Sequence, residues 1–288
     1  MLLNVKNRLY QNRNTVNNLH FGKRNTSITK QTEAGNGANE YIKTPKPSKY
    51  LQFKINKEKA KLEKKLGKKY DEITPQEFLK IFKIEFETDS TDGKLIVTSG
   101  VNLPNNKLSK ILLQDPDFPI QKILTSIKKV EKVISIKSCN ALTNLGGIRK
   151  IAGNLKITDC PNFSSLGNVE IVRKGIELNN LPMLENLGNL SKVFTNIKII
   201  KCPKLKSLFP LKRVYGSLEL IECNSLKLIG NVARISCGVI IKNCDKLKSI
   251  EDINIQESRI GKMSQVIFLE DKSIKKKVLL KLKNVFAK

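Results

Sequence analysis

From residue 134 onward the apolar positions recur at every twenty-first position of the chain. Ile134, Leu155, Ile176, Ile197, Leu218 and Val239 form one register, and Ile136, Ile157, Leu178, Ile199, Leu220 and Ile241 form the next. Further registers begin at Leu142, Leu145, Ile148 and Ile151 and run on without an insertion. A unit this short cannot bury its own apolar face, so neighbouring units must stack as the coils of a solenoid. The registers of Ile134 and Ile136 alternate with polar neighbours, which predicts one strand per coil. Gly146, Gly167, Gly188 and Gly230, each followed by Gly147 or by Asn168, Asn189 or Asn231, predict a turn at a fixed place in the coil. With strands about 4.8 Å apart, six such coils span roughly 25–30 Å.

Cysteines occupy a register of their own. Cys139, Cys160, Cys202, Cys223 and Cys244 share it, and Leu181 completes it. A cysteine in this position can be a metal ligand, half of a disulfide, a nucleophile or core filling. Zinc needs sets of Cys and His at close spacing, and His20 is the single histidine of the chain. Leu181 interrupts any ladder of disulfides. A register that accepts leucine reads as an inward one, with cysteine as a small hydrophobe. Cys237 stands apart, in the register of Gly153 and Gly216, and reads as a turn residue.

The consensus L-x-I-x-x-C-x-x-L-x-x-L resembles the leucine-rich repeat, whose Asn/Cys ladder position matches the cysteine register. GNLKITDCPNFSSLGNVEIV and GSLELIECNSLKLIGNV also look like the receptor L-domain, a short-coil relative with a parallel sheet along each side. The resemblance covers residues 134–254, and 113–133 more loosely through Leu113, Phe118, Leu124, Ile127 and Val130. It implies a binding scaffold without catalytic residues of its own. The chain departs from the extracellular members in lacking their disulfide-rich caps. Its Lys-, Asn- and Ile-rich composition resembles repeats from AT-rich bacteria and large phages.

Outside the repeats, residues 1–50 hold nine Lys or Arg against Glu33 and Glu40, a composition that reads as a flexible basic arm. Residues 1–32 contain no acid, a trait of transit peptides, but they are rich in Asn rather than Ser. An uncleaved, intracellular chain is expected, cytoplasmic or within a virion. Residues 56–70 read as a charged helix. Thr74, Pro75 and Glu77 form a capping box with proline in the first helical position, opening a second helix through Phe78 and Phe82. Residues 82–100 alternate, turn at Thr91-Asp92-Gly93 and alternate again, a hairpin. Ile274, Val278, Leu282, Val285 and Phe286 predict one face of a basic amphipathic helix near the C-terminus.

The expected architecture is therefore an α/β-type solenoid of stacked, leucine-rich-repeat-like coils with parallel strands. A basic arm over 1–50 precedes a helix and hairpin cap over 51–112. The coils occupy 113–255, and a capping helix lies within 256–288.

No P-loop, H-E-x-x-H or G-x-S-x-G motif appears, and acids such as Asp159, Glu177, Glu219, Glu222 and Asp245 stand singly. Neither an enzyme nor a cofactor is expected, nor a small-molecule substrate, nor a membrane partner. Lys and Arg number 53 against 26 Asp and Glu, a net charge of +27 that favours anionic partners. The polar register Ser135, Lys156, Glu177, Lys198, Glu219, Ile240 alternates in sign and is expected to pair across strands. Lys150, Lys192, Arg213 and Arg234 share another register, with Ile171 between them. Together with Lys201, Lys204 and Lys206 they are candidates for a basic ridge. Aromatic residues do not interleave with these charges along the chain, so base stacking is not expected. The sequence thus points to a repeat scaffold making protein contacts in an assembly. The alternative is a basic structural subunit contacting nucleic acid in a phage virion or ribonucleoprotein particle.

Overall fold

The computed structural model describes residues 47–230, 232–247 and 266–269. The basic arm up to residue 46 and the helix expected over 274–286 lie outside the described residues.

Helix α1 (Lys49–Leu66) starts earlier than its charge pattern suggests, because Ser48 caps it by accepting from the Leu51 N–H at 3.2 Å. Gly67 ends it in the left-handed region at φ 67°, donating to the Glu63 carbonyl. Helix α2 (Pro75–Ile81) carries the expected capping box, with Thr74 N–H to Glu77 at 2.8 Å and Glu77 N–H to Thr74 Oγ1 at 3.2 Å. Strands β1 (Phe86–Thr88) and β2 (Leu95–Val97) pair antiparallel as the expected hairpin. Strand β3 (Val101–Leu103) follows, then helices α3 (Lys107–Leu112) and α4 (Ile120–Ser126), then β4 (Ile127–Val130) and β5 (Ile134–Lys137).

This order corrects the boundary expected at residue 112. β2 pairs parallel with β4, and β3 pairs parallel with β5, so the parallel stack already begins within the expected cap. Val101 is opposite Ile134, a longer step than in the later coils, because α3 and α4 are inserted in this circuit. The loose register over 113–133 is a mixture. Leu124 belongs to a helix, and only from Ile127 onward does the chain run with the coils.

Each later coil contributes two strands, not one. They are β6 (Lys150–Ile151) and β7 (Leu155–Thr158), β8 (Ile171–Val172) and β9 (Ile176–Asn179), and β10 (Lys192–Val193) and β11 (Ile197–Ile200). β12 (Arg213–Val214) and β13 (Ser217–Ile221), β14 (Arg234–Ile235) and β15 (Gly238–Lys242) complete the pairs, and β16 (Val266–Leu269) closes the described chain. The short strands, with β1, β2 and β4, form sheet A; the longer ones, with β3 and β16, form sheet B. From β4 to β15 the pairing is parallel and its step constant, as in Lys192 opposite Arg213 and Ile197 opposite Leu218. Isolated bridges, Ser165 to Asn186 and Ser207 to Leu228, mark a third side between the sheets. The molecule is thus a parallel β-solenoid of about five stacked coils. β16 pairs with β15, so sheet B continues into the segment 256–288 expected as a cap.

Every apolar register points inward. Ile157, Cys160, Phe163, Leu166, Val169 and Val172 are all inaccessible in one coil, and their equivalents repeat this in the next. The same core continues into Leu62, Phe78, Leu79, Phe82 and Phe118 at the N-terminal end. There Lys59 reaches the buried carboxylate of Asp115 at 2.6 Å, tying α1 to the inserted circuit.

A corner residue precedes each position of the cysteine register, Leu181 included. Ser138, Asp159, Asn180, Lys201, Glu222 and Asn243 all have φ between 53° and 56°, a left-handed turn that Asn and Asp adopt most readily. The glycine turn has a packing cause as well. A Cβ on Gly188, at φ 57°, would lie 2.2 Å from the Gly167 carbonyl oxygen one coil earlier.

Leu205→Ala should destabilise the protein by about 2–5 kcal/mol, because close-packed coils cannot collapse onto the void. Cys202→Val, nearly isosteric, should cost less than about 1.5 kcal/mol. Gly188→Ala should cost more than about 1 kcal/mol, since a left-handed alanine also collides with backbone. Denaturant unfolding of the three variants checks the order.

Candidate polyanion-binding face

The three sides of the solenoid carry charge differently. On sheet B the polar register is aligned as expected, Lys156 opposite Glu177 and Lys198 opposite Glu219. Ion pairs form at 3.0 Å between Lys156 and Glu177 and at 3.1 Å between Lys198 and Glu219. This face neutralises itself coil by coil.

The third side is compensated in part. Lys206 pairs with Glu185 one coil earlier at 3.1 Å, and Lys204 Nζ donates to Met183 Sδ at 3.2 Å. Lys201 sits at the left-handed corner where sheet B ends. Lys201, Lys204 and Lys206 therefore do not join the ridge. They follow β11 of sheet B, whereas Lys192 and Arg213 stand in β10 and β12 of sheet A. The chain turns a corner between them, so nearness in sequence does not become nearness on one face.

Sheet A keeps the remaining candidates in one line. Lys129 is opposite Lys150, Lys150 opposite Ile171, Ile171 opposite Lys192, Lys192 opposite Arg213 and Arg213 opposite Arg234. From Lys150 to Arg234 the row covers about 19 Å at strand spacing. Among the described residues Lys150, Lys192 and Arg213 make no ion pair, whereas Lys129 pairs with Glu131 at 2.9 Å. Arg234 Nε donates to Ser236 Oγ at 3.3 Å, an interaction that leaves its charge uncompensated. Like charges held at coil spacing repel one another, and an anionic partner relieves that repulsion.

Sheet A also overturns the expectation about aromatic residues. Two positions beyond the ridge the next outward register reads Ala152, Arg173, Phe194, Tyr215, Ser236. Phe194 is 43% exposed, and its ring stacks on Tyr215 with centroids 5.1 Å apart and planes 20° from parallel. The Arg234 guanidinium lies 5.8 Å over the Tyr215 ring. Phe194 and Tyr215 are a full coil apart in the chain, so a search for neighbours in sequence misses them. Writing out every outward register at the coil period, as for the charges, is the signal that finds them.

A shallow depression of ≈ 330 Å³ lies at the opposite corner, lined by Gln114, Ser138, Asn140, Asp159 and neighbouring prolines. Its polar groups serve the fold: Gln114 Nε2 donates to the Ser138 carbonyl and Asn140 Nδ2 to the Gln114 carbonyl, both at 2.8 Å. Among the described residues no three His, Cys, Asp or Glu side chains converge as metal ligands, and no helix is long and apolar enough to cross a membrane.

The cysteine ladder lies inside. Cys139, Cys160, Leu181, Cys202, Cys223 and Cys244 are inaccessible, while Cys237 is exposed. Burial pushes the Cys160 thiol up to about 11 and the Cys202 thiol up to about 12 from an ordinary 9.0. In the unfolded chain these thiols ionise near 9.0, so between that pH and 11–12 the unfolded state holds fewer protons and stability falls as pH rises. A Cys160→Val, Cys202→Val variant should lose stability less steeply over that window in denaturant titrations at stepped pH. A thiol-alkylating reagent at pH 8 should label Cys237 alone in the native protein and all six cysteines after unfolding.

Compared with protein-family models, with curated proteins and with solved structures, the chain matches none, so the reading of this face rests on its own geometry.

Proposed function

We propose that the protein is a non-enzymatic repeat scaffold within a larger assembly, and that it holds an anionic partner against the outer face of sheet A. In this reading it is a short-coil solenoid of the leucine-rich-repeat kind. Its N-terminal helices and hairpin cover the open end of the first coil, where apolar edge would otherwise meet water. The carrying observation is the segregation of charge. Lys156 and Lys198 on sheet B and Lys206 on the third side pair with glutamates one coil away, whereas sheet A holds Lys150, Lys192 and Arg213 in a single register with no ion pair among the described residues. A net charge of +27 draws such a partner in, and the aligned row decides where it settles. The interior is filled by the apolar registers, so recognition belongs to the surface.

Replacing Lys192, Arg213 and Arg234 together by Gln should lower the salt slope of heparin binding by about two to three. Stability should change by no more than about 0.5 kcal/mol per site. Lys156→Gln, Lys198→Gln and Lys206→Gln together serve as the matched control, because those lysines already have acidic partners. Equal slopes for both variants would show that the charge acts without regard to face.

A further inference from the structure

We infer that the anionic partner of sheet A is single-stranded nucleic acid, its backbone running along Lys192, Arg213 and Arg234 and its bases stacking at the Phe194–Tyr215 pair. This rests on the reading of sheet A as the binding face and adds the chemical class of what it binds.

The aromatic register stands two positions after the ridge, at the bends where β10 and β12 end, and the Arg234 guanidinium over the Tyr215 ring sets the two registers side by side. Two residues of chain span at most about 7 Å. A phosphate held by Lys192 and Arg213 therefore leaves its own base beside the rings. The rings stack along the solenoid axis, because their 5.1 Å separation matches the rise of about 4.8 Å between coils. Arg234 covers the outer face of Tyr215. The outer face of Phe194 looks toward the preceding coil, where Arg173 occupies the same register. Arg173 is exposed and, among the described residues, makes no ion pair or ring contact. A base laid on Phe194 has an aromatic plane on one side and a guanidinium within reach on the other.

An acidic protein surface satisfies the charges but has no need of the stacked rings. A duplex keeps its base faces inside, where the Phe194–Tyr215 pair cannot stack on them. Only an unpaired strand presents phosphates and bare base faces together. Because every base has a stacking face and the ridge contacts only backbone, the binding carries little sequence preference.

The test measures the full chain by fluorescence anisotropy against a labelled 15-nucleotide oligothymidine, a hairpin duplex with the same number of phosphates, poly-glutamate, and inorganic polyphosphate as a polyanion without bases. Phe194→Leu with Tyr215→Leu should weaken oligothymidine binding by about 10-fold per ring and leave polyphosphate binding unchanged. The conservative pair Phe194→Tyr, Tyr215→Phe should retain oligothymidine affinity, which separates loss of stacking from loss of fold. Duplex should bind less tightly than the single strand at equal charge. If the leucine variant binds oligothymidine as the parent does, or weakens both ligands alike, the nucleic-acid inference fails. The basic-face reading then still stands, provided the Lys192, Arg213, Arg234 triple variant lowers the salt slope for polyphosphate. Tighter binding of poly-glutamate than of oligothymidine would assign the face to an acidic protein and overturn the inference.

Discussion

The hydrogen-bonded ladder between one coil and the next is the constraint on which the rest of the molecule depends. Ser138 N–H meets the Thr158 carbonyl, and the same bond recurs from Asp159 to Asn179, Asn180 to Ile200, Lys201 to Ile221 and Glu222 to Lys242, all between 2.9 and 3.1 Å. The strands of each coil bond to residues one repeat away, so a single inserted residue would turn a whole strand inside out. The left-handed corners follow from the same demand. Lys201 and Glu222 adopt a φ that suits Asn better, because the ladder on either side holds them there.

The ladder also orders the surface. A residue and its equivalent in the next coil stand about 4.8 Å apart whatever their chemistry. Opposite charges in one register neutralise each other, as on sheet B, and like charges accumulate, as on sheet A. Two aromatic residues in one register stack without any further device, as Phe194 and Tyr215 do. Small differences of composition between registers become large differences between faces.

At the N-terminal end the periodic rule gives way. The circuit from β3 to β5 takes in α3 and α4, yet Val101 still pairs with Ile134 and Val97 with Val130. Extra chain is accepted where it can leave the stack and return in register. The inserted helices bury Leu112 and Leu124, and the link between them buries Phe118, in the core that α2 also lines, while Asp115 receives Lys59 from α1. The helical segment and the first coil therefore share one core.

The apolar registers, the inward cysteines and the sign alternation of the sheet B face were all legible in the sequence. Burial and strand pairing act on each of these positions separately, and a fixed period exposes them one register at a time. The second strand of each coil was implied only by the receptor L-domain resemblance and not by alternation, because a dipeptide is too short to display one. Nor was the start of the parallel stack, since β2 and β3 look like parts of a hairpin until their distant partners β4 and β5 are known. The division of the basic candidates was a matter for tertiary structure alone. Lys201, Lys204 and Lys206 lie near Arg213 in the chain but across a corner from it in space. The meeting of Phe194 with Tyr215 beside the ridge depends in the same way on coils that stack, for only stacking brings two residues a full repeat apart in the chain into van der Waals contact.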